Sequence, residues 1–482
     1  MQKSPSRQLL SDRGVCVVIP TYNNATTIAD VVSRSLEQCA DVIVVNDGSD
    51  DATAGILSSI EGITVVTLKQ NSGKGSALKH GFQRALAMGF AYAITLDADG
   101  QHYPEDIPLL VEANMKHPGS IILGQRRLEG VERSGGAKFA NAFSNFWFCV
   151  QTCHYLPDTQ TGYRLYPLRK LRGLSLLTSR YEAELELLVF SSWHGVKIVP
   201  VEVDVYYPPV EQRVSHFRPG PDFARISVLN TCLCFLAVLY GLPCAIIRFL
   251  DRAASTIIAL TIYLAGTLCI VTPFTALTKL MNKGSLPIHK ILHWFGRKVN
   301  RVLGCISGKV EIRNPHGERF ERPAVIVCNH QSHLDLMLQM SLTTKIVFLT
   351  NDWVWHSPFF GYIVRNAEYL PASMGYEEMM PRLRSLVARG YSISVFPEGT
   401  RSMDCSIGRF HKGAFLMAKD LGVDILPLVL YGAGKVLPKK GLYMRRSPIC
   451  IAIDARVSVA QLGQMGATER EQSNNFRRYY KR

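Results

Sequence analysis

The chain has 482 residues, against a usual domain size of roughly 100–200 residues, so two or three domains are expected. Apolar residues make up 47% of it and charged residues 19%, which excludes a disordered or collagen-like polymer. Its 54 Lys and Arg against 39 Asp and Glu leave a net charge of +15, which suits nucleic acid, an anionic membrane surface or phosphorylated substrates without choosing among them.

The 12 cysteines form no CxxC pair and no Cys/His cluster at zinc spacing, so reduced, cytosolic thiols are expected. Residues 1–14 are polar and charged and lack the apolar stretch of a secretory signal, which predicts an N-terminal domain that stays in the cytosol.

Over about 1–220, the β-branched runs VCVVI, VIVVN, ITVVTL, YAITL and SIILG alternate with helix-like stretches. That pattern predicts an α/β domain whose mostly parallel sheet is covered on both faces. Ligands bind at the carboxyl ends of such strands. VVIPTYNN places Pro20, Thr21 and Tyr22 after the first strand, and VVNDGSDDAT places Asp47 and Asp50 after the second. YAITLDADGQH runs a further strand into Asp97 and Asp99, two carboxylates that can approach one hard cation together with a diphosphate.

These residues resemble the GT-A fold of family 2 glycosyltransferases over 14–220. VVIPTYNN, VVNDGSDDAT, NSGKGSALKHGF, LDADGQHYPED, DTQTGYRLY and VPVEVDVYY occur in the family's order, and the likeness is to dolichyl- or polyprenyl-phosphate sugar transferases. The resemblance implies that Pro20, Tyr22, Asp47 and Asp97 bind the nucleotide sugar. It also implies that Asp97, Asp99 and Gln101 organise Mg²⁺ or Mn²⁺ on the diphosphate and that the sugar carbon is inverted. The QxxRW signature of processive synthases is absent, which favours one sugar per turnover. A lipid phosphate acceptor is already a nucleophile, whereas a hydroxyl needs a base. Asp158 in DTQTGYR is the candidate base, with a turn-forming Asp as the alternative. Arg164 and Arg213 are expected to hold phosphate, or else to serve as membrane-surface charges.

Two windows, 226–247 and 253–278, contain no Asp, Glu, Lys or Arg, and each exceeds the roughly 20 residues that cross a bilayer as helix. The short RFLDRAAS between them predicts a membrane hairpin over 221–285. The alternative is a pair of buried core helices. Arg213, Arg218, Arg225, Lys279, Lys283 and Lys290 outnumber Arg248 and Arg252 at the tip, which puts both large domains on the cytoplasmic face of the inner (plasma) membrane.

From 286 to 482, KVEIR, AVIVC, KIVFL, SISVF and ILPLVL repeat the α/β pattern, with amphipathic stretches such as 381–389 between them. NHQSHLD holds His330 and Asp335, and an imidazole held by a carboxylate can take a proton from an attacking hydroxyl. FPEGTRS follows, with Glu398, Gly399, Thr400 and Arg401, and then FHKGAF and ILPLVLYG. Together these resemble the glycerolipid acyltransferases typified by lysophosphatidate acyltransferase, over about 290–455. The resemblance implies that His330 is the general base and that Asp335 orients it. Glu398, Gly399, Thr400 and Arg401 would bind the acceptor, and acyl-carrier protein or acyl-coenzyme A would supply the acyl group. His333 is expected to be a bystander. The family's phosphate-binding arginine is missing: Ala372 stands in its place, with Arg365 as a possible substitute.

The reading is an α/β enzyme in three parts: a GT-A transferase domain over 1–220, the hydrophobic hairpin over 221–285, and an acyltransferase-like domain over 286–482. Its partners are a nucleotide sugar, a lipid or polyprenyl-phosphate acceptor, an acyl carrier and the membrane. Nucleic acid is excluded for want of a recognisable module. Two alternatives are independent activities in the two halves, and a second half that is a non-catalytic lipid anchor.

Overall fold

The computed structural model describes residues 5–128, 135–174, 176–207, 219–403 and 405–480. Two units divide the chain, Met1–Arg248 and Phe249–Arg482.

In the first unit the strands are β1 (Val15–Thr21), β2 (Val42–Asn46), β3 (Ile63–Thr67), β4 (Tyr92–Thr95), β5 (Ile121–Arg126), β6 (Arg164–Pro167) and β7 (Ile198–Val203). They form a seven-stranded sheet in the order β3-β2-β1-β4-β6-β5-β7. All neighbours are parallel except β6, which is antiparallel to both β4 and β5. Every residue of β1 and β2 is buried, as continuous β-branched runs covered on both faces should be. The helix Ile28–Gln38 turns Ile28, Val31, Val32 and Ser35 inward at helical spacing. The helix Lys74–Ala87 lies close to the sheet because Gly81 has no side chain: a Cβ there would stand 2.4 Å from Val18 Cγ1. Because β1, β2 and β4 are parallel and adjacent, the segments after them emerge side by side, and this gathers the acidic motifs.

In the second unit the strands are β8 (Val310–Arg313), β9 (Val325–Cys328), β10 (Ile346–Thr350), β11 (Leu370–Pro371), β12 (Ser392–Val395), β13 (Ile425–Tyr431) and β14 (Ile449–Ile453). Their order is β11-β10-β12-β9-β13-β14-β8. β9 sits at the centre, parallel to β12 and β13, while β14 runs antiparallel to β13. β9 is wholly buried, so the segment leaving it, which carries His330, starts from a rigid base. The helix Tyr376–Ala388 begins ahead of Pro381, so that proline lies inside it.

The expected hairpin does not form. One helix, Gly220–Leu280, runs through both charge-free windows, and by length and composition it is apolar enough to cross a membrane. The supposed tip RFLDRAAS lies within the α-helix Leu242–Gly266 and contains no Gly, Pro or Asn to reverse the chain. Pro243 and Pro273 do not break the helix either. Each follows a π-helical turn, Ala237–Gly241 and Thr267–Val271, and such wider turns are where helices accommodate a missing N–H.

The close approach at Gly81 generates a first prediction. Gly81→Ala overpacks Val18 and Val45, and should lower the stability of the first unit by about 1–3 kcal/mol. In calorimetry of the detergent-solubilised chain, the transition of that unit should move down while that of the second stays in place.

Candidate active sites

In the first unit, Pro20 and Thr21 are buried within β1 and Tyr22 follows directly. Asp47 Oδ1 and Oδ2 accept from the Ser72 and Gly73 amides, each at 2.8 Å. Burial pushes the Asp47 carboxyl up, and these two bonds oppose the rise. Its role in the fold is to hold the NSGKG turn, and that turn presents Lys74.

Lys74 is a residue that sequence reasoning missed. Its Nζ lies 2.7 Å from Asp97 Oδ1 and 2.7 Å from Glu184 Oε2. Burial alone would push the Asp97 carboxyl up, but the Lys74 ammonium first, together with His102 and Arg164, reverses this, so Asp97 stays below the usual carboxylate range. Asp99 lacks such a partner. Burial first, and then the neighbouring Asp97 charge, push it up to about 6, although its Oδ1 accepts from the Gln101 amide at 3.0 Å. Gly162 makes room for this cluster, since a Cβ there would meet Asp97 Oδ2 at 2.5 Å. His102 lies nearby, buried, with no partner for Nδ1, and burial pushes it down to about 4, so the ring is neutral.

Among the described residues, no group of three or more His, Cys, Asp or Glu is placed to hold a metal ion by itself. Asp97 and Asp99 nonetheless fit a divalent cation. Their mutual repulsion is what a cation relieves, and magnesium is commonly bound by one or two carboxylates together with substrate phosphates.

Two expectations are corrected. Asp158 is 1% exposed and forms a fork with Arg126, Nε to Oδ2 at 2.7 Å and Nη2 to Oδ1 at 2.8 Å. Its carboxylate is therefore locked in an ion pair, not poised as a base. Breaking so buried a pair costs about 3–5 kcal/mol. Arg164 is 0% exposed, and its guanidinium donates to the carbonyls of Thr159, Thr161 and Glu184 and to the Tyr166 hydroxyl, with no side left for a phosphate. Arg213 lies outside the described residues.

In the second unit, Asn329 bridges to β13 by exchanging two bonds with the Leu430 backbone, which fixes the segment leaving β9. His330 Nδ1 lies 2.8 Å from Asp335 Oδ2. The same oxygen accepts from the Gln331 and Ser332 amides at 2.7 and 2.8 Å. A carboxylate only accepts, so Nδ1 carries the proton of this contact. The ring stacks on Phe396, with centroids 4.1 Å apart.

Glu398 does not reach the acceptor side. Its Oε1 accepts from the His330 amide at 2.8 Å and its Oε2 from the Gly408 amide at 2.6 Å, so it joins the segment after β9 to the loop at Gly408. Burial pushes this carboxyl up, against both bonds. Thr400 is exposed and accepts from Lys439 Nζ at 3.0 Å. Gly399, at φ 67°, adopts the left-handed conformation that closes the FPEGTRS turn.

Gly399 and Arg401 line a cavity of about 680 Å³, together with His330, Ala372 and His333, the expected bystander. Most of its wall is apolar, including Tyr263, Phe295, Val299 and Met337. The volume is that of a small-ligand site. Arg365 is not among the lining residues and donates to the Trp355 carbonyl.

Residues 16–166 match the family described as glycosyl transferase family 2, and residues 309–431 match the family described as acyltransferase. The chain carries both domains. It is 27% identical over 220 residues to the UDP-N-acetylglucosamine–dolichyl-phosphate N-acetylglucosaminyltransferase of Methanococcus voltae, covering 41% of this chain and 88% of that protein. It is 35% identical over 122 residues to a chloroplastic 1-acyl-sn-glycerol-3-phosphate acyltransferase of Arabidopsis thaliana, covering 24% of this chain and 34% of that protein. The second match thus spans about a third of the plant enzyme. The crystal structure of a 1-acyl-sn-glycerophosphate acyltransferase from Thermotoga maritima aligns at 22% identity and a TM-score of 0.40, covering 48% of this chain and 93% of that one.

The contact between Lys74 and Asp97 generates a prediction about the glycosyltransferase domain. Lys74→Met removes the charge that holds Asp97 low, so burial dominates and the Asp97 carboxyl rises. The acid limb of the pH profile of sugar transfer should then move to higher pH, as Asp97 becomes protonated earlier on acidification. An unmoved limb would show that Lys74 does not set the ionisation of Asp97.

Proposed function

We propose that the chain is a bifunctional membrane enzyme of glycolipid synthesis, moving a sugar from a nucleotide donor to a lipid acceptor and an acyl group to a lipid hydroxyl or amine. The reading is carried by the His330–Asp335 pair, of which His330 lines an apolar cavity in one unit, while the Asp97–Asp99 pair follows the carboxyl end of β4 at the middle of the sheet in the other.

In the glycosyltransferase domain, Asp97 and Asp99 would hold Mg²⁺ or Mn²⁺, with Gln101 beside them. When bound, that ion neutralises charge growing on the departing nucleoside diphosphate. Tyr22 and Asp47 lie at the carboxyl ends of β1 and β2, where the nucleoside is accommodated. With Asp158 locked by Arg126, an acceptor that needs no base is favoured. A polyprenyl- or dolichyl-type phosphate meets that condition, as does the dolichyl phosphate in the name of the Methanococcus relative.

In the acyltransferase domain, His330 Nε2 takes the proton of the acceptor hydroxyl or amine as its oxygen or nitrogen attacks the thioester carbonyl. The thiol of acyl-carrier protein or coenzyme A then leaves. Asp335 holds the tautomer, Phe396 holds the ring plane, and Glu398 holds the backbone of His330. The thioester's chain lies in the apolar cavity. Arg401 engages any anion on the acceptor, while Ala372 on the same wall offers a phosphomonoester nothing. That arrangement supports a neutral or sugar-bearing acceptor over lysophosphatidate.

The apolar helix attaches the chain to a membrane. Arg248, Asp251 and Arg252 interrupt its apolar surface and oppose a crossing centred on them, so both units work on the cytoplasmic face. Joining the two transfers in one chain raises the effective concentration of a shared lipid intermediate.

Two measurements test the reading. Asp99→Ala should lower sugar transfer by orders of magnitude and leave acyl transfer near normal, while His330→Ala should lower acyl transfer roughly 10²- to 10⁴-fold and spare sugar transfer. Equal loss of both activities in well-folded variants would overturn the two-site assignment. In competition assays, a matched glycolipid should be acylated in preference to lysophosphatidate. Ala372→Arg should shift that preference toward lysophosphatidate by roughly tenfold to more than a hundredfold, the value of a charge-assisted phosphate contact.

A further inference from the structure

We propose that the loop 435–446 of the acyltransferase unit is a lipid-binding loop that dips into an anionic bilayer surface and borders the acyl cavity there. The proposal rests on the membrane attachment read above, and it adds a basic surface, Lys440, Arg445 and Arg446, that does not line the acyl cavity.

Between Asp424 and Asp454 the chain has no acidic residue, while Lys435, Lys439, Lys440, Arg445 and Arg446 crowd into twelve positions. At the middle of this run Leu442 is 81% exposed and Tyr443 40% exposed, an unusual position for an apolar pair between cations. Lys440, Arg445 and Arg446 are exposed on either side. An apolar tip with basic shoulders is the composition of a segment that lies in the headgroup region of anionic lipid.

The loop's contacts point to the same partner. Tyr443 packs edge-on against Phe249, with ring centroids 5.4 Å apart. The Met444 amide donates to Thr256 Oγ1 at 2.7 Å, and Arg446 lies 3.0 Å from Asp251. Phe249, Asp251 and Thr256 all belong to the apolar helix, whose neighbouring side chains Ile257, Ile258 and Leu260 are 63%, 53% and 53% exposed. The tip therefore continues the apolar surface of that helix. The loop also reaches the catalytic site. Leu437, Leu442 and Met444 line the same cavity as His330, and Lys439 Nζ donates to the Arg401 carbonyl at 2.8 Å. An acidic carrier protein would satisfy the cations but would leave Leu442, Tyr443 and the helix face in water, so lipid is the partner that fits all of these observations.

The test places photoreactive benzoylphenylalanine at position 442 of the full chain, reconstituted in bilayers of phosphatidylcholine alone or mixed with phosphatidylglycerol. Illumination should give a phospholipid adduct on the peptide carrying position 442, in higher yield on the anionic bilayer. Lys440→Glu combined with Arg445→Glu should lower that yield roughly tenfold or more on the anionic bilayer. The readout is lipid contact, not acyl transfer, so it stands or falls separately from the catalytic reading. Equal yield on the two bilayers, no lipid adduct, or an adduct formed only with added acyl-carrier protein would overturn the proposal.

Discussion

Asp335 is wholly excluded from solvent, yet a single one of its oxygens takes donors from the His330 ring and from the Gln331 and Ser332 amides. A buried carboxylate is strongly destabilising unless such donors surround it. The same need shapes the first unit: Asp47 draws in the Ser72 and Gly73 amides, Asp97 takes the Lys74 ammonium, and Asp158 takes Arg126. These bonds hold the segments that follow β1, β2, β4 and β9 against the rest of each sheet, and the candidate site residues are carried on those segments. Satisfying buried charge and building the sites are one structural event.

The two sites use this constraint differently. In the acyltransferase domain one oxygen of the Asp335 carboxylate gathers three donors, and that contact fixes a proton on His330 Nδ1. Glu398 extends the same arrangement by binding the His330 amide and the loop at Gly408. In the glycosyltransferase domain the carboxylates stay unevenly satisfied, Asp97 countered by Lys74 and Asp99 pushed up to about 6.

The apolar helix shows how local composition is resolved by hydrogen bonding. Charge-free windows separated by Arg248, Asp251 and Arg252 suggest a reversal, but a reversal needs residues that tolerate turn conformations, and RFLDRAAS offers good helix formers instead. The prolines that look like breakers are taken up by two π-helical turns.

By itself the sequence determined the strands whose β-branched runs are long and continuous, the positions of the acidic motifs after them, and the His330–Asp335 pair, because these depend on spacing along the chain. It could not reveal β11, which is two residues long, or show that the β6 strand runs against its neighbours. Nor could it show that Asp97 and Glu184, far apart in the chain, meet at Lys74. Arg164 and Asp158 have the chemistry of phosphate binding and base catalysis in any sequence. Whether they perform it depends on what the fold places against them, and here Arg164 meets carbonyls and Asp158 meets Arg126. Spacing in one dimension identifies which groups are available. Only packing decides which of them are already neutralised, since a charge is satisfied by neighbours in space and those neighbours come from distant parts of the chain.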